Sequence, residues 1–348
     1  DYLREEIGFD FAERIYLRNK EALGLPGALQ HHNVEWIVEG ALNFIEQNQD
    51  HPFFLYAPLT VPHSQYDAIY GEFSDADPLA TPAGFLDTRP DVQPPRSTIY
   101  ERLRERGIDQ RNAMATWIDD GIGAILNKLD EHNLTENTLV LFISDHQSRG
   151  KYNCYEGARV PCLMRWPATI KPGRQIDSLC ANIDILPLLL QVAGAAVPGD
   201  GVDGRSFLSI LAREERPLTW RESLLLECVY SRAVVTDRYK YIANRPPQEV
   251  VDAMEKERQQ YTQNGRLRTI GWDGRANPHD WGEVGIRYVA DVDFPNYFDF
   301  DQMYDLQVDP FEQVNLACYP QYQQTLATLQ SLLSGHLRAL PHRFGEFT

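Results

Sequence analysis

The sequence predicts an α/β protein: a mixed, largely parallel sheet flanked by helices, then a small antiparallel sheet with a terminal helix. Three observations carry this. Met114, Trp117, Ile118, Gly121, Ile122, Ile125, Leu126 and Leu129 form one apolar stripe at helical spacing. That helix passes through the turn-forming Thr135-Glu136-Asn137 into Thr138–Ile143, an apolar run of strand length, as in sheets covered on both faces. Beyond about Arg213 the pattern changes to short strands, Ser223–Glu227, Arg232–Thr236 and Tyr239–Ala243, the last two joined as a hairpin by Thr236-Asp237-Arg238.

Taken in order, Glu35-Trp36-Ile37-Val38 through Phe44-Ile45 reads as a helix, ended by His51-Pro52. Phe53-Phe54-Leu55-Tyr56 reads as a buried strand. From Tyr66 to Arg104 the chain is rich in Pro, Asp and Thr and predicts a long excursion, a length that usually has a function. Val160–Trp166 is a further strand, and Asp184–Ala193 a helix stopped at Gly194. Residues 245 to 300 are polar and irregular, and Gln321–Leu340 carries the terminal amphipathic helix. The expected division is 1–215, an α/β domain, and 216–348, a smaller α+β subdomain.

Charge narrows the function. With 33 Lys+Arg against 50 Asp+Glu, the net charge of −17 argues against nucleic-acid and membrane-surface partners. The longest apolar run, Ile183–Val192, is broken by Asp184 and Pro187 and is too short to span a bilayer. The five cysteines (154, 162, 180, 228 and 318) form no C-x-x-C pair, and their odd number leaves at least one thiol outside any disulfide.

The chemistry concentrates at strand ends. The strand closing at Ile143 empties into Ser144-Asp145-His146-Gln147-Ser148-Arg149-Gly150-Lys151. Ligands in α/β sheets bind beyond the carboxyl ends of strands. There Asp145 and His146 offer a carboxylate and an imidazole to one divalent cation, while Lys151 follows the pliant Gly150 and offers an ammonium to an anion. An arbitrary Asp-His pair is more often a solvated turn. A second such place is Ala57–His63, where His63 is suited to protonating a leaving oxygen or holding an anion, although a lone loop histidine is usually satisfied by backbone. His31, His32, His51, His132, His279, His336 and His342 have no comparable setting.

Together these segments resemble the type I, formylglycine-dependent sulfatases of the alkaline-phosphatase superfamily. The resemblance is carried, in order, by Pro52–Tyr56 with Pro62-His63, Trp117–Gly123, Asn137–Val140, Ser144-Asp145-His146, Gly150-Lys151 and Tyr155–Pro161. Asp184–Pro187, Asp203–Ser206, Tyr239-Lys240-Tyr241, Tyr304-Asp305-Leu306, Asp309-Pro310 and Asn315-Leu316 continue the series. It implies an alkaline-phosphatase-like fold and sulfate-ester hydrolysis in a secreted or periplasmic protein, and the long Tyr66–Arg104 excursion with the polar 245–300 region points to a carbohydrate as the substrate. Asp145 and His146 would be metal ligands for one Ca²⁺ (or Mg²⁺), Lys151 would bind the sulfate oxygens, and His63 would act at the bridging oxygen. Glu156 and Arg159 would tie the lysine loop to the core. Gln147 departs from the family's usual Gly.

The family's nucleophile is a formylglycine made from Cys in a C-x-P-x-R or C-x-A-x-R motif, and the chain contains none. Cys228-Val229-Tyr230-Ser231-Arg232 fails at Tyr230, and Cys228 reads as a core cysteine. The resemblance therefore implies the C-terminal two-thirds of a sulfatase, partnered by its missing N-terminal segment. Two other functions remain open. His146 is also typical of phosphodiesterase and phosphonate hydrolase relatives, and a chain that only binds anionic glycans would need no nucleophile. Trp272, Trp281, Arg287, Tyr288 and Tyr297 suit either a sugar cleft or ordinary packing.

Overall fold

The computed structural model describes residues 2–18, 23–62, 77–146, 154–155, 158–212, 220–228, 230–263 and 294–347. The chain forms two compact units, residues 1–138 and 139–348. In the second, Leu188, Phe207, Ile210, Leu211 and Trp220 form one apolar cluster, with Leu139 and Met164 packed against it.

In the first unit, helix α1 (Val34–Asn48) starts where the Asn33 side chain accepts the Trp36 N–H at 3.0 Å. The Asn33 amide also donates to the carbonyls of Pro78 (2.9 Å) and Ala80 (3.1 Å), which fastens the small hairpin β1 (Ala80–Thr81) and β2 (Gly84–Phe85). The expected excursion thus contains structure, including helix α2 (Ile99–Glu105), anchored by buried Ile99 and Leu103. The long stripe forms helix α3 (Ala113–Glu131), as its spacing predicts. It packs closely on α1 because Gly121 has no side chain: a Cβ there would stand 2.8 Å from a Val38 methyl. Arg96 plugs into this helix pair, donating to buried Glu35 at 3.2 Å with its guanidinium 4.6 Å from the Trp117 ring.

Phe53–Tyr56 is not a buried strand. It lies in no ladder among the described residues, and Phe54 and Tyr56 are 59% and 68% exposed. Its aromatic rings contact Phe44 and Phe9 instead. An aromatic run favours extended backbone, but a strand also needs a neighbour, which composition does not supply.

In the second unit, β3 (Val140–Ile143) pairs with β4 (Cys162–Arg165), Val140 opposite Arg165 and Ile143 opposite Cys162. The pairing is antiparallel, as is every ladder among the described residues. Helix α4 (Ile185–Val192) ends before Gly194, whose φ of +71° suits glycine. Helix α5 (Leu208–Ala212) adds Ile210 and Leu211 to the core.

The C-terminal sheet has the order β5 (Leu224–Cys228), β6 (Ser231–Val235), β7 (Tyr239–Asn244), β8 (Asp301–Asp305). Alternation assigns its faces. Val234, Tyr241, Ala243 and Met303 meet Leu326, Leu329, Leu333 and Leu337 of the terminal helix α7 (Gln323–Leu337). Ala233, Ile242 and Tyr304 meet a second cluster of Cys154, Tyr155, Phe294 and Tyr297. Between β7 and β8, in a stretch expected to be irregular, residues Gln248–Gln263 form helix α6. All five cysteines are free.

Helix α7 is tied to the start of β5 by His336 Nε2 and Ser223 Oγ, 2.9 Å apart. Burial, and then the nearby Arg221 charge, hold this imidazole below its usual 6.5. The unfolded chain therefore takes up a proton as pH drops through about 6.5 that the folded chain refuses. Stability should be complete above pH 6.5 and fall as pH drops toward the folded value. Melting temperatures between pH 7.5 and 5.5 check this, and His336→Gln should flatten that part of the curve.

Candidate functional site

The turn after β3 is built by its own side chains. Ser144 Oγ donates to the His146 carbonyl at 2.9 Å, and the His146 N–H donates to Asp145 Oδ1 at 2.8 Å. These two short bonds hold a tight turn directly at the end of a four-residue ladder. They bring Asp145 Oδ2 to 3.3 Å from His146 Nε2, with the side chains 84% and 38% exposed. A carboxylate oxygen and an imidazole nitrogen thus converge at the surface.

That convergence fits a divalent cation. Two ligands on neighbouring corners of a cation, each about 2.3–2.6 Å from it, stand about 3.3–3.7 Å apart. The donors are one hard oxygen and one nitrogen, acceptable to Ca²⁺, Mg²⁺ or a transition metal. Among the described residues no group of three or more His, Cys, Asp or Glu is placed to hold a metal ion. The other two predicted residues, His63 and Lys151, lie outside the described residues, as do Gln147, Glu156, Trp272, Trp281, Arg287 and Tyr288.

What leads to these positions is described on both sides. Before His63, Val61 is buried and Thr60 Oγ1 lies 2.7 Å from Nδ1 of buried His32. His32 is thus a satisfied core histidine that fixes the end of the extended segment. After Lys151, Cys154 and Tyr155 are sunk in the core beneath the C-terminal sheet. Tyr155 stacks on Phe294 at 4.1 Å, and its hydroxyl and that of Tyr304 both donate to Gln302 Oε1.

One reading is settled here. Tyr297 walls no sugar cleft: it is buried, 6.0 Å from the Tyr155 ring. Cys228 behaves as foreseen, ending strand β5 opposite Ser231 and packing against the aromatic cluster. It is no site for a formylglycine.

Sequence reasoning missed a buried ion pair below this region. Lys240 on β7 and Glu312 are almost wholly enclosed and paired with each other, and Lys240 Nζ donates to the Cys154 carbonyl at 3.1 Å. Burial pushes the Cys154 thiol up to about 12, so it stays protonated and inert. The available signal was alternation, which puts Lys240 on the same inward face as Ile242.

The sulfatase family model matches residues 8–195. The chain belongs to the sulfatase family. A second model, described as the C-terminal region of N-sulphoglucosamine sulphohydrolase, matches residues 146–259. An ulvan-active sulfatase of Formosa agariphila is 30% identical over 287 residues, 80% of this chain and 50% of that protein. An arylsulfatase of Clostridium perfringens is 29% identical over 259 residues, 66% of this chain and 53% of its own length. The chain thus spans about half the length of these relatives. Among solved structures, a 2-O GAG sulfatase superposes with a TM-score of 0.55 at 19% identity, covering 95% of this chain and 68% of that one. A Bacteroides thetaiotaomicron structure from work on glycosaminoglycan metabolism gives 0.54 at 23%, covering 87% and 54%. These likenesses show the sulfatase α/β fold, as the ordered motifs implied.

Proposed function

We propose that the native polypeptide is a metal-assisted sulfuric ester hydrolase acting on a sulfated carbohydrate. The observation that carries this reading is the Asp145–His146 turn: a carboxylate and an imidazole 3.3 Å apart at a strand end, within the span matched by the sulfatase family. The carbohydrate class is supported by the relatives, which include an ulvan-active sulfatase and an N-acetylgalactosamine-6-O-sulfatase of Bacteroides thetaiotaomicron.

In this reading Asp145 and His146 hold a divalent cation, Ca²⁺ by preference for the hard carboxylate. Bound there, such a cation would supply Lewis-acid polarisation of an ester oxygen. The Lys151 ammonium binds the remaining sulfate oxygens and orients the ester. As an oxygen nucleophile supplied from outside this chain bonds to sulfur and the S–O bond to the sugar opens, His63 gives its proton to the bridging oxygen, so that the sugar leaves as a neutral alcohol and water finally releases the sulfo group as sulfate. The negative surface is no obstacle, because a cation and one or two lysines set the local field. The nucleophile is not a residue of this chain's described core, and formylglycine is assigned to none of its cysteines.

His146 favours a second reading, phosphodiester or phosphonate hydrolysis by the same site. Side-by-side assays of the native polypeptide on an aryl sulfate and an aryl phosphodiester test the choice. The expected result is higher kcat/KM on the sulfate, lost with a chelator and restored by Ca²⁺. A diester preference would overturn the sulfatase reading, and metal-independent turnover would remove the cation.

A further inference from the structure

The turn after β3 is held by a side chain that no step of the proposed reaction uses. The ladder with β4 stops at the pair Ile143–Cys162, so residues 144–146 lie beyond the strand pairing that fixes β3. Ser144, half-buried, reaches across the turn and donates its hydroxyl to the His146 carbonyl at 2.9 Å. That bond ties the residue before Asp145 to the residue after it. The Asp145–His146 peptide is thereby turned so that the His146 N–H meets Asp145 Oδ1 at 2.8 Å. One carboxylate oxygen is occupied, and Oδ2 is left beside the imidazole. For folding this hydroxyl is dispensable, because water serves a half-exposed carbonyl nearly as well and the net worth of such a bond is small. For geometry it is not, since a water molecule does not couple residue 144 to residue 146. Two exposed side chains left to sample their rotamers would have to give up that freedom on taking up an ion.

On the reading that Asp145 and His146 take up a divalent cation, we propose that Ser144 is a positioning residue for that cation. It is not itself a ligand. Its hydroxyl fixes the His146 carbonyl, the carbonyl fixes the turn, and the turn presents a carboxylate oxygen and a ring nitrogen together. Hydrogen-bonding partners that orient a ligand in this way govern metal affinity without touching the metal.

The test titrates the metal-free native polypeptide with Ca²⁺ in a calorimeter. Ser144→Ala should weaken Ca²⁺ binding about tenfold, the lower end of what losing such a supporting bond costs. Its melting temperature without metal should hardly move, and hydrolysis of 4-nitrophenyl sulfate should return close to the wild-type rate at saturating Ca²⁺. Ser144→Thr, which keeps the hydroxyl, should bind Ca²⁺ as the wild type does. A purely structural hydroxyl would lower the melting temperature and leave Ca²⁺ affinity alone. Unchanged Ca²⁺ affinity in Ser144→Ala, or Ser144→Thr binding as weakly as Ser144→Ala, overturns the positioning role. The cation reading then stands on its own if Asp145→Ala still abolishes binding. Normal Ca²⁺ binding in Asp145→Ala, or none by the wild type, takes the cation away from this turn, and both fall together.

Discussion

Asp184→Ala is expected to cost the second unit about 3–5 kcal/mol, the usual result of taking one partner from a buried ion pair. Asp184 is fully buried and every lone pair is used. It accepts both Arg221 Nη atoms at 2.6 Å, the Ala181 N–H at 2.7 Å and the Arg205 N–H at 2.8 Å. Three segments far apart in sequence thus converge on one carboxylate. Removing it takes the counter-charge from Arg221 and orphans two backbone donors, each a separate penalty. Against a total stability of about 5–15 kcal/mol, this leaves a protein on the edge of unfolding. Asp184→Asn should be nearly as harmful, because the shape survives and the charge does not.

The same knot explains Gly204. A Cβ there would stand 1.9 Å from the Ile183 carbonyl oxygen, so Gly204→Ala must push backbone apart and release Arg205 from Asp184. Urea denaturation of the three variants measures all of this. A loss below about 1 kcal/mol for Asp184→Ala, the level of an ordinary substitution, would mean that the knot is not structural.

The Asp-Ile-Leu-Pro and Asp-Gly-Arg-Ser segments were legible as motifs, but their meeting was not. Nothing in a local pattern says that Gly204 lies against the Ile183 carbonyl or that the Arg205 N–H reaches Asp184. The same limit runs through the molecule. Helix α3 and strand β3 were readable because their periodicity is their burial. Strand β8 was not: Asp301 and Asp305 give it a polar look, yet Arg245 and Arg238 pair with those carboxylates and admit them to the sheet. Helix α6 also escaped, since its Glu, Lys, Arg and Gln favour helix by intrinsic propensity without drawing an apolar stripe. The Asp145–His146 turn was readable for the opposite reason. Asp145 and His146 are neighbours in sequence, so one short stretch brings them together. Lys240 and Cys154 are 86 residues apart, and only the folded sheet joins them.

Asp145→Ala should abolish metal-dependent hydrolysis in the native polypeptide, lowering kcat/KM by about three orders of magnitude or more. That is the scale for losing a group that stabilises charge in the transition state. The side chain is 84% exposed and its described bonds, to the His146 N–H and ring, stay within the turn. Little folding energy is therefore at stake, and the melting temperature of the metal-free protein should hardly move. This separation of function from stability is what makes the variant decisive. His146→Asn should be milder, because an amide oxygen can still ligate a hard cation whereas a methyl group at 145 cannot. Bound metal, measured on the purified protein, should fall in parallel with activity, and excess Ca²⁺ should rescue His146→Asn in part and Asp145→Ala not at all. Full activity and full metal content in Asp145→Ala would take this turn out of the site and leave the family's chemistry to residues elsewhere in the chain.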